Sequence, residues 1–85
     1  MNKKVLLKGE IGYVDADASS IIIKCSNPEN GEIEVLHIKV LPTAEFKGFD
    51  SLFGLEMEVG NEVVIDVCSD DGFGVLKAAA VTLVN

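Results

Sequence analysis

Arginine is absent from this chain, so seven lysines stand alone against fourteen acidic residues, for a formal net charge of −7. Nucleic-acid binding draws much of its affinity from cations that neutralise phosphates. Arginine is the usual bidentate partner of guanine and phosphate. Both shortages weigh against a general nucleic-acid binder. They fit a domain that repels nucleic acid and anionic membrane surfaces, or one that meets a basic partner. Histidine occurs once, at His37, and cysteine only at Cys25 and Cys68. So few groups suggest no nucleophile–base pair, and the expectation is a protein that is not an enzyme. Cys-x-x-Cys and His-x₃-His spacings are missing, so nothing announces a zinc site built from Cys25, Cys68 and His37. No metal and no cofactor are expected.

Long apolar runs are missing too, since none approaches the ~18 residues of a membrane span. The start, Met1-Asn2-Lys3-Lys4 followed by Val5-Leu6-Leu7, begins like a secretory signal, but the apolar stretch stops at Lys8. The expectation is therefore a cytoplasmic protein with two reduced, partly buried thiols. No linker, repeat or low-complexity run divides the chain, and residues 1–85 read as one domain. A composition that is 48% hydrophobic supplies a core without disulfides.

What is present is strand-like. In Leu7–Val14, Leu7, Gly9, Ile11 and Tyr13 alternate with Lys8, Glu10 and Gly12. The interior glycines Gly9 and Gly12 predict a bend or bulge. Asp15 to Ser19 reads as a turn. Ser20 to Cys25 reads as a second strand, with Ile21, Ile23 and Cys25 on one face. Ser26 to Gly31 is dense turn chemistry. The third strand, Glu32 to Leu41, changes phase: Ile33 and Val35 carry the apolar side first, then Leu36, Ile38 and Val40. A bulge near Val35-Leu36, or a strand that contacts two layers, reconciles the halves. Pro42 is expected to end this strand. Phe46, Phe49 and Phe53, spaced i, i+3, i+7, then predict a short or broken helix starting near Thr43 or Asp50.

The last third is the clearest. Gly60-Asn61 leads into Val63, Ile65 and Val67; Ser69-Asp70-Asp71-Gly72 makes a turn; a second apolar run ends in Val81, Leu83 and Val84. That is a β-hairpin. The order β-β-β-(short helix)-β-β predicts an all-β fold, a five-stranded OB-fold-like Greek-key barrel with a short helix between strands three and four.

From Lys8 to Val84 the layout resembles an OB-fold of the cold-shock-domain type. Gly9-Glu10-Ile11 resembles that family's first strand, and Val35 to Val40, with His37, its third. Gly48-Phe49-Asp50-Ser51-Leu52, Val59-Gly60-Asn61-Glu62-Val63 and Lys77 to Thr82 resemble its tail. The resemblance implies single-stranded nucleic-acid binding by aromatic residues displayed on strands two and three. Ser20-Ile21-Ile22-Ile23 and Val35-Leu36-His37-Ile38 stand there instead, with no aromatic platform. A second resemblance, to the small molybdate-binding Mop/TOBE barrels, is carried by Ser51 to Leu55, Val59 to Val63 and Lys77 to Val81. Asp66 to Leu76 is interposed between those pieces.

Other candidate motifs read as turns. Asp15 and Asp17 lack the remaining ligands of a calcium loop. Gly72-Phe73-Gly74 lacks the lysine and helix of a phosphate loop. The functional expectation is a small acidic binding module acting through a protein partner, with its charge suited to a basic one, or through self-association as a homo-oligomer. Phe73, Asp70 and Asp71 at the hairpin tip, with Phe49 and Phe53 at the barrel end, are its candidate contacts, carboxylates steering and aromatics anchoring. Its acidity also suits a mimic of nucleic acid. The alternative is weak single-stranded nucleic-acid binding through Lys8, Lys24, His37 and Lys39 on one sheet face.

Overall fold

The computed structural model describes residues 5–26, 29–70 and 76–84. Its strands are β1 (Val5–Asp15), β2 (Ser20–Ser26), β3 (Ile33–Lys47), β4 (Glu62–Asp70) and β5 (Leu76–Val84). A short helix, α1 (Leu52–Leu55), runs into a 3₁₀ turn (Glu56–Glu58) between β3 and β4. The sheet closes into a barrel in the order β1-β2-β3-β5-β4. Every pairing is antiparallel except β3 with β5. This is the five-stranded, OB-fold-like arrangement that the alternating sequence predicts. Closure removes the open edges a sheet of this size would otherwise present.

Alternation fills the interior. Ile11, Ile21, Ile23, Ile38, Val63, Ile65 and Val81 are all fully buried, each from a strand that sends every second side chain inward. One end of the core is closed by α1. Ser51 stands before the helix in extended backbone, and its Oγ accepts a hydrogen bond from Gly54 N at 3.4 Å. That cap lets a four-residue helix start, and the helix buries Leu52 and Leu55. Complete burial of a leucine such as Leu55 contributes about 1.5–3 kcal/mol.

The β1 glycines act as expected, with one consequence that simple alternation misses. Ile11 pairs with Ile23, but Tyr13 pairs with Ile22, so the register shifts across Gly12. Past the shift Val14 turns inward, and Tyr13 stands outside with 56% of its surface exposed. Tyr13 therefore does not share the inner face of Gly9 and Ile11. Gly9 serves a different need. A Cβ there would lie 2.8 Å from the Lys24 carbonyl oxygen and 3.0 Å from Cys25 Sγ. Only glycine lets β1 pass this close to β2.

β3 differs most from its sequence reading. Its register with β2 is continuous from Ser26↔Ile33 to Ser20↔Lys39, with no bulge at Val35-Leu36. Ile33 and Val35 face solvent, and the inward set begins at Leu36. Nor does Pro42 end the strand, which runs on to Lys47. The pairing of β3 with β5 is interrupted between Val40 and Glu45. Proline, which has no N–H to donate, sits in that gap. β3 thus pairs with β2 from Ile33 to Lys39 and with β5 from Ile38 to Val40 and again from Glu45 to Lys47, the last stretch with β5 alone. Phe46 consequently lies on β3 rather than in a helix, stacked on Phe49 with ring centroids 4.8 Å apart.

Candidate functional site

The hairpin-tip residues Asp71 and Phe73 lie outside the described residues, as does the side chain of Asp70. Asp70 ends β4, paired with Leu76 at the start of β5. The two barrel-end aromatics part company. Phe49 is half-buried against Phe46 and the core. Phe53 is 62% exposed on α1, near in sequence to the exposed Met57 and Val59.

The four cationic candidates are also divided. Ile22 pairs with His37, Lys24 with Val35 and Ser20 with Lys39, so Lys24, His37 and Lys39 share the outer face of β2 and β3. Lys39 Nζ donates to the Ala18 carbonyl at 3.0 Å. Lys8 lies further along β1 and pairs with Glu62 at 3.3 Å. An open groove holds Lys8 and Lys24 together with Glu10 and Glu62. Lys8 and Lys24 thus share their groove with carboxylates.

The side chain with the most distinctive chemistry is Cys25. It sits one residue from the end of β2, half-buried, on the inward side shared with Ile21 and Ile23. Gly9 gives its sulfur room. Across the ladder its partner is Glu34. Burial pushes the thiol above its ordinary pKa, and the negative charge of Glu34 pushes the same way. A cation at this point would find a soft sulfur and a carboxylate side by side. Cys68 is on β4, exposed, with Sγ set 3.6 Å from the Lys77 carbonyl oxygen as a weak donor. His37 faces outward while Cys25 faces inward, so the triad of Cys25, Cys68 and His37 does not converge. Among the described residues, no three His, Cys, Asp or Glu side chains gather as a metal cluster.

The sequence reading weighed Cys25 but missed Glu34. Folding about the midpoint of the Ser26 to Gly31 turn pairs Cys25 with Glu32; the observed register centres one residue further on and pairs it with Glu34.

The class defined by this topology is a small OB-fold-like barrel. No family model matches the sequence, and no curated protein matches it. Solved structures do share the fold. A CusF variant with Cu(II) from Escherichia coli is 10% identical, with a TM-score of 0.68, covering 98% of this chain and 94% of that one. CusF with Ag(I) from Escherichia coli is also 10% identical, with a TM-score of 0.69, covering 99% and 95%. Apo-CusF from Escherichia coli is 11% identical, with a TM-score of 0.66, covering 100% and 92%.

These neighbours correct several expectations. They are CusF structures rather than cold-shock domains, so the likeness holds at the level of the barrel. A module acting through a protein partner, basic or otherwise, or through a homo-oligomer is overturned, because the shared fold leads to structures carrying metal ions. The single-stranded nucleic-acid alternative falls by the same finding. The carboxylates of Glu10 and Glu62 in the groove with Lys8 and Lys24 add a physical reason. The expectation of a cytoplasmic protein is at odds with the likeness to CusF and is withdrawn.

Proposed function

We propose that this chain is a non-catalytic barrel that binds a soft metal cation as cargo, with Cys25 as its principal ligand. The observation that carries this reading is the position of Cys25: a half-buried thiol, opposite a carboxylate, on a barrel like that of CusF with Cu(II) and Ag(I). Thiolate sulfur selects soft cations such as Cu(I) over magnesium or calcium. A soft monovalent ion also tolerates few protein ligands, which suits a site without a three-residue cluster. Binding displaces the thiol proton, so affinity rises with pH. The raised thiol of Cys25 extends that rise to higher pH. The cold-shock likeness plays no part in this reading.

The test is a titration with Ag(I) against a competing chelator, with stoichiometry read by native mass spectrometry. One ion per chain is expected, lost in Cys25→Ser and kept in Cys68→Ser. Absence of stoichiometric binding, or binding indifferent to Cys25→Ser, overturns the proposal.

A further inference from the structure

Asn30-Gly31 lies near the centre of the connection between β2 and β3, whose ladder closes with Ser26 opposite Ile33. Both residues are exposed. Gly31 adopts a φ of 73°, which favours glycine, and a Cβ there would meet nothing within 4 Å. Asn30 Oδ1 accepts a hydrogen bond from Glu32 N at 2.9 Å. That is an Asx turn, in which the side-chain carbonyl stands in for a backbone one and the arm folds over the next peptide group. Here the next peptide group is the bond to Gly31. Three features thus meet. They are an electrophilic carboxamide carbon, a backbone nitrogen with no side chain beside it, and an N–H already bonded to the oxygen on which charge develops. A donor aimed at such an oxygen stabilises a tetrahedral intermediate.

We propose that Asn30 is a site of spontaneous covalent modification, converting through a cyclic imide to aspartate and isoaspartate with water as the co-reactant. Gly31 N loses its proton and bonds to Asn30 Cγ. The Cγ–Nδ2 bond breaks, and Nδ2 takes up a proton and leaves as ammonia. Water then opens the imide at either carbonyl. Attack at Cγ restores the normal peptide bond and leaves aspartate. Attack at the main-chain carbonyl carbon leaves the chain running through Cβ and Cγ, as isoaspartate. Nothing is oxidised or reduced. Asn61 is the contrast. Its side-chain amide donates to Glu58, its backbone N donates to the Glu58 carbonyl at 3.0 Å, and its carbonyl accepts from Ile11 N at 2.9 Å. The nitrogen that would attack it belongs to Glu62, which carries a side chain and is paired in β4. Either product at Asn30 makes the net charge one unit more negative than −7. Isoaspartate also lengthens the main chain of the hairpin. The β2–β3 connection therefore changes with the age of the molecule.

The test incubates the full folded chain at neutral and mildly alkaline pH, in ordinary and in heavy-oxygen water. Peptide mass spectrometry reads loss of the amide, and an isoaspartyl methyltransferase reports isoaspartate. Asn30 is expected to convert ahead of Asn61, faster as pH rises, with heavy oxygen taken up and isoaspartate beside aspartate. Gly31→Ala crowds the attacking nitrogen and should slow the loss. Because alanine is strained at that φ, Asn30→Gln is the second variant. Its arm is one carbon too long for the same ring, and it should keep its amide. A parallel incubation in urea separates the turn from the dipeptide, and the folded chain should convert at least as fast as the unfolded one. A folded rate well below the urea rate would show that the turn protects Asn30 and overturn the proposal. Aspartate without isoaspartate, or a rate indifferent to pH, would mean direct hydrolysis and overturn it as well.

Discussion

Cys25 and Glu34 face each other across the β2–β3 ladder, the thiol on the inward side of β2 and the carboxylate beside it on β3. The arrangement holds the thiol in its protonated form to higher pH than usual, first by burial and then by the neighbouring charge. An ordinary thiol ionises near pH ~8.5. The two cysteines should therefore react in sequence. Iodoacetamide at pH 8 is expected to modify exposed Cys68 before Cys25, as read by peptide mass spectrometry. The rate at Cys25 should keep rising at pH values where an ordinary thiol has levelled off. Faster labelling of Cys25 would contradict both its burial and its raised pKa.

The same shift has a sign for stability. The folded thiol keeps its proton at a pH where the unfolded chain has begun to lose it. The contribution is fully present below the ordinary thiol range and is lost as pH rises through that range toward the raised value. Urea midpoints should fall over this window in the unaltered chain, and less in Cys25→Ala. Parallel declines in the two proteins would remove Cys25 as the source.

Two glycine substitutions should have opposite effects. Gly9→Ala presses a methyl group against the Lys24 carbonyl oxygen and Cys25 Sγ. Overpacking of this kind costs about 1–3 kcal/mol. Gly54→Ala adds a methyl group on α1 where nothing lies within 4 Å. There alanine should stabilise by about 0.4–1 kcal/mol through the unfolded chain. Chemical denaturation of both variants checks the pair, and a stable Gly9→Ala protein would refute the close approach of β1 to β2.

Capping should matter out of proportion to the length of α1. Leu55→Ala empties a fully buried site and should cost about 2–5 kcal/mol. Ser51→Ala removes only the cap on Gly54 N and should cost about 0.5–2 kcal/mol. The order of the two thermal midpoints is the measurement, and the reverse order would be inconsistent with α1 as the closure of the core.

By contrast, the ion pair of Lys8 with Glu62 should be nearly silent. Both side chains are more than half exposed, at 64% and 54%. Pairs of this kind contribute about 0–1 kcal/mol and weaken in salt. A double-mutant cycle at low and high ionic strength tests this, and a large salt-resistant coupling would count against it.

The parts of the fold governed by local pattern were readable in advance. The alternation of Val63, Ile65 and Val67 announced β4, and Gly9 and Gly12 announced an irregularity in β1. The parts governed by partners were hidden. Tyr13 turns outward because Gly12 is skipped in the pairing with β2, and alternation alone counts straight through that residue. Pro42 reads as a terminator, yet β3 passes it where its ladder to β5 is already broken. Phe46, Phe49 and Phe53 show helical spacing although Phe46 belongs to a strand. The candidate site follows the same division. Cys25 was visible as a thiol facing inward, but Glu34 becomes its neighbour only when the register of two strands is known.

The reliance of the end of β3 on β5 alone also orders the life of the chain during synthesis. That end has no strand partner until β5, the last strand described, has been made, because β5 alone pairs with it there. Contacts this distant in sequence form slowly, and strands awaiting them are exposed to association with other chains. Pro42, which cannot donate to an intruding strand, stands in the waiting segment. The proline that interrupts the finished ladder thus also guards the nascent one.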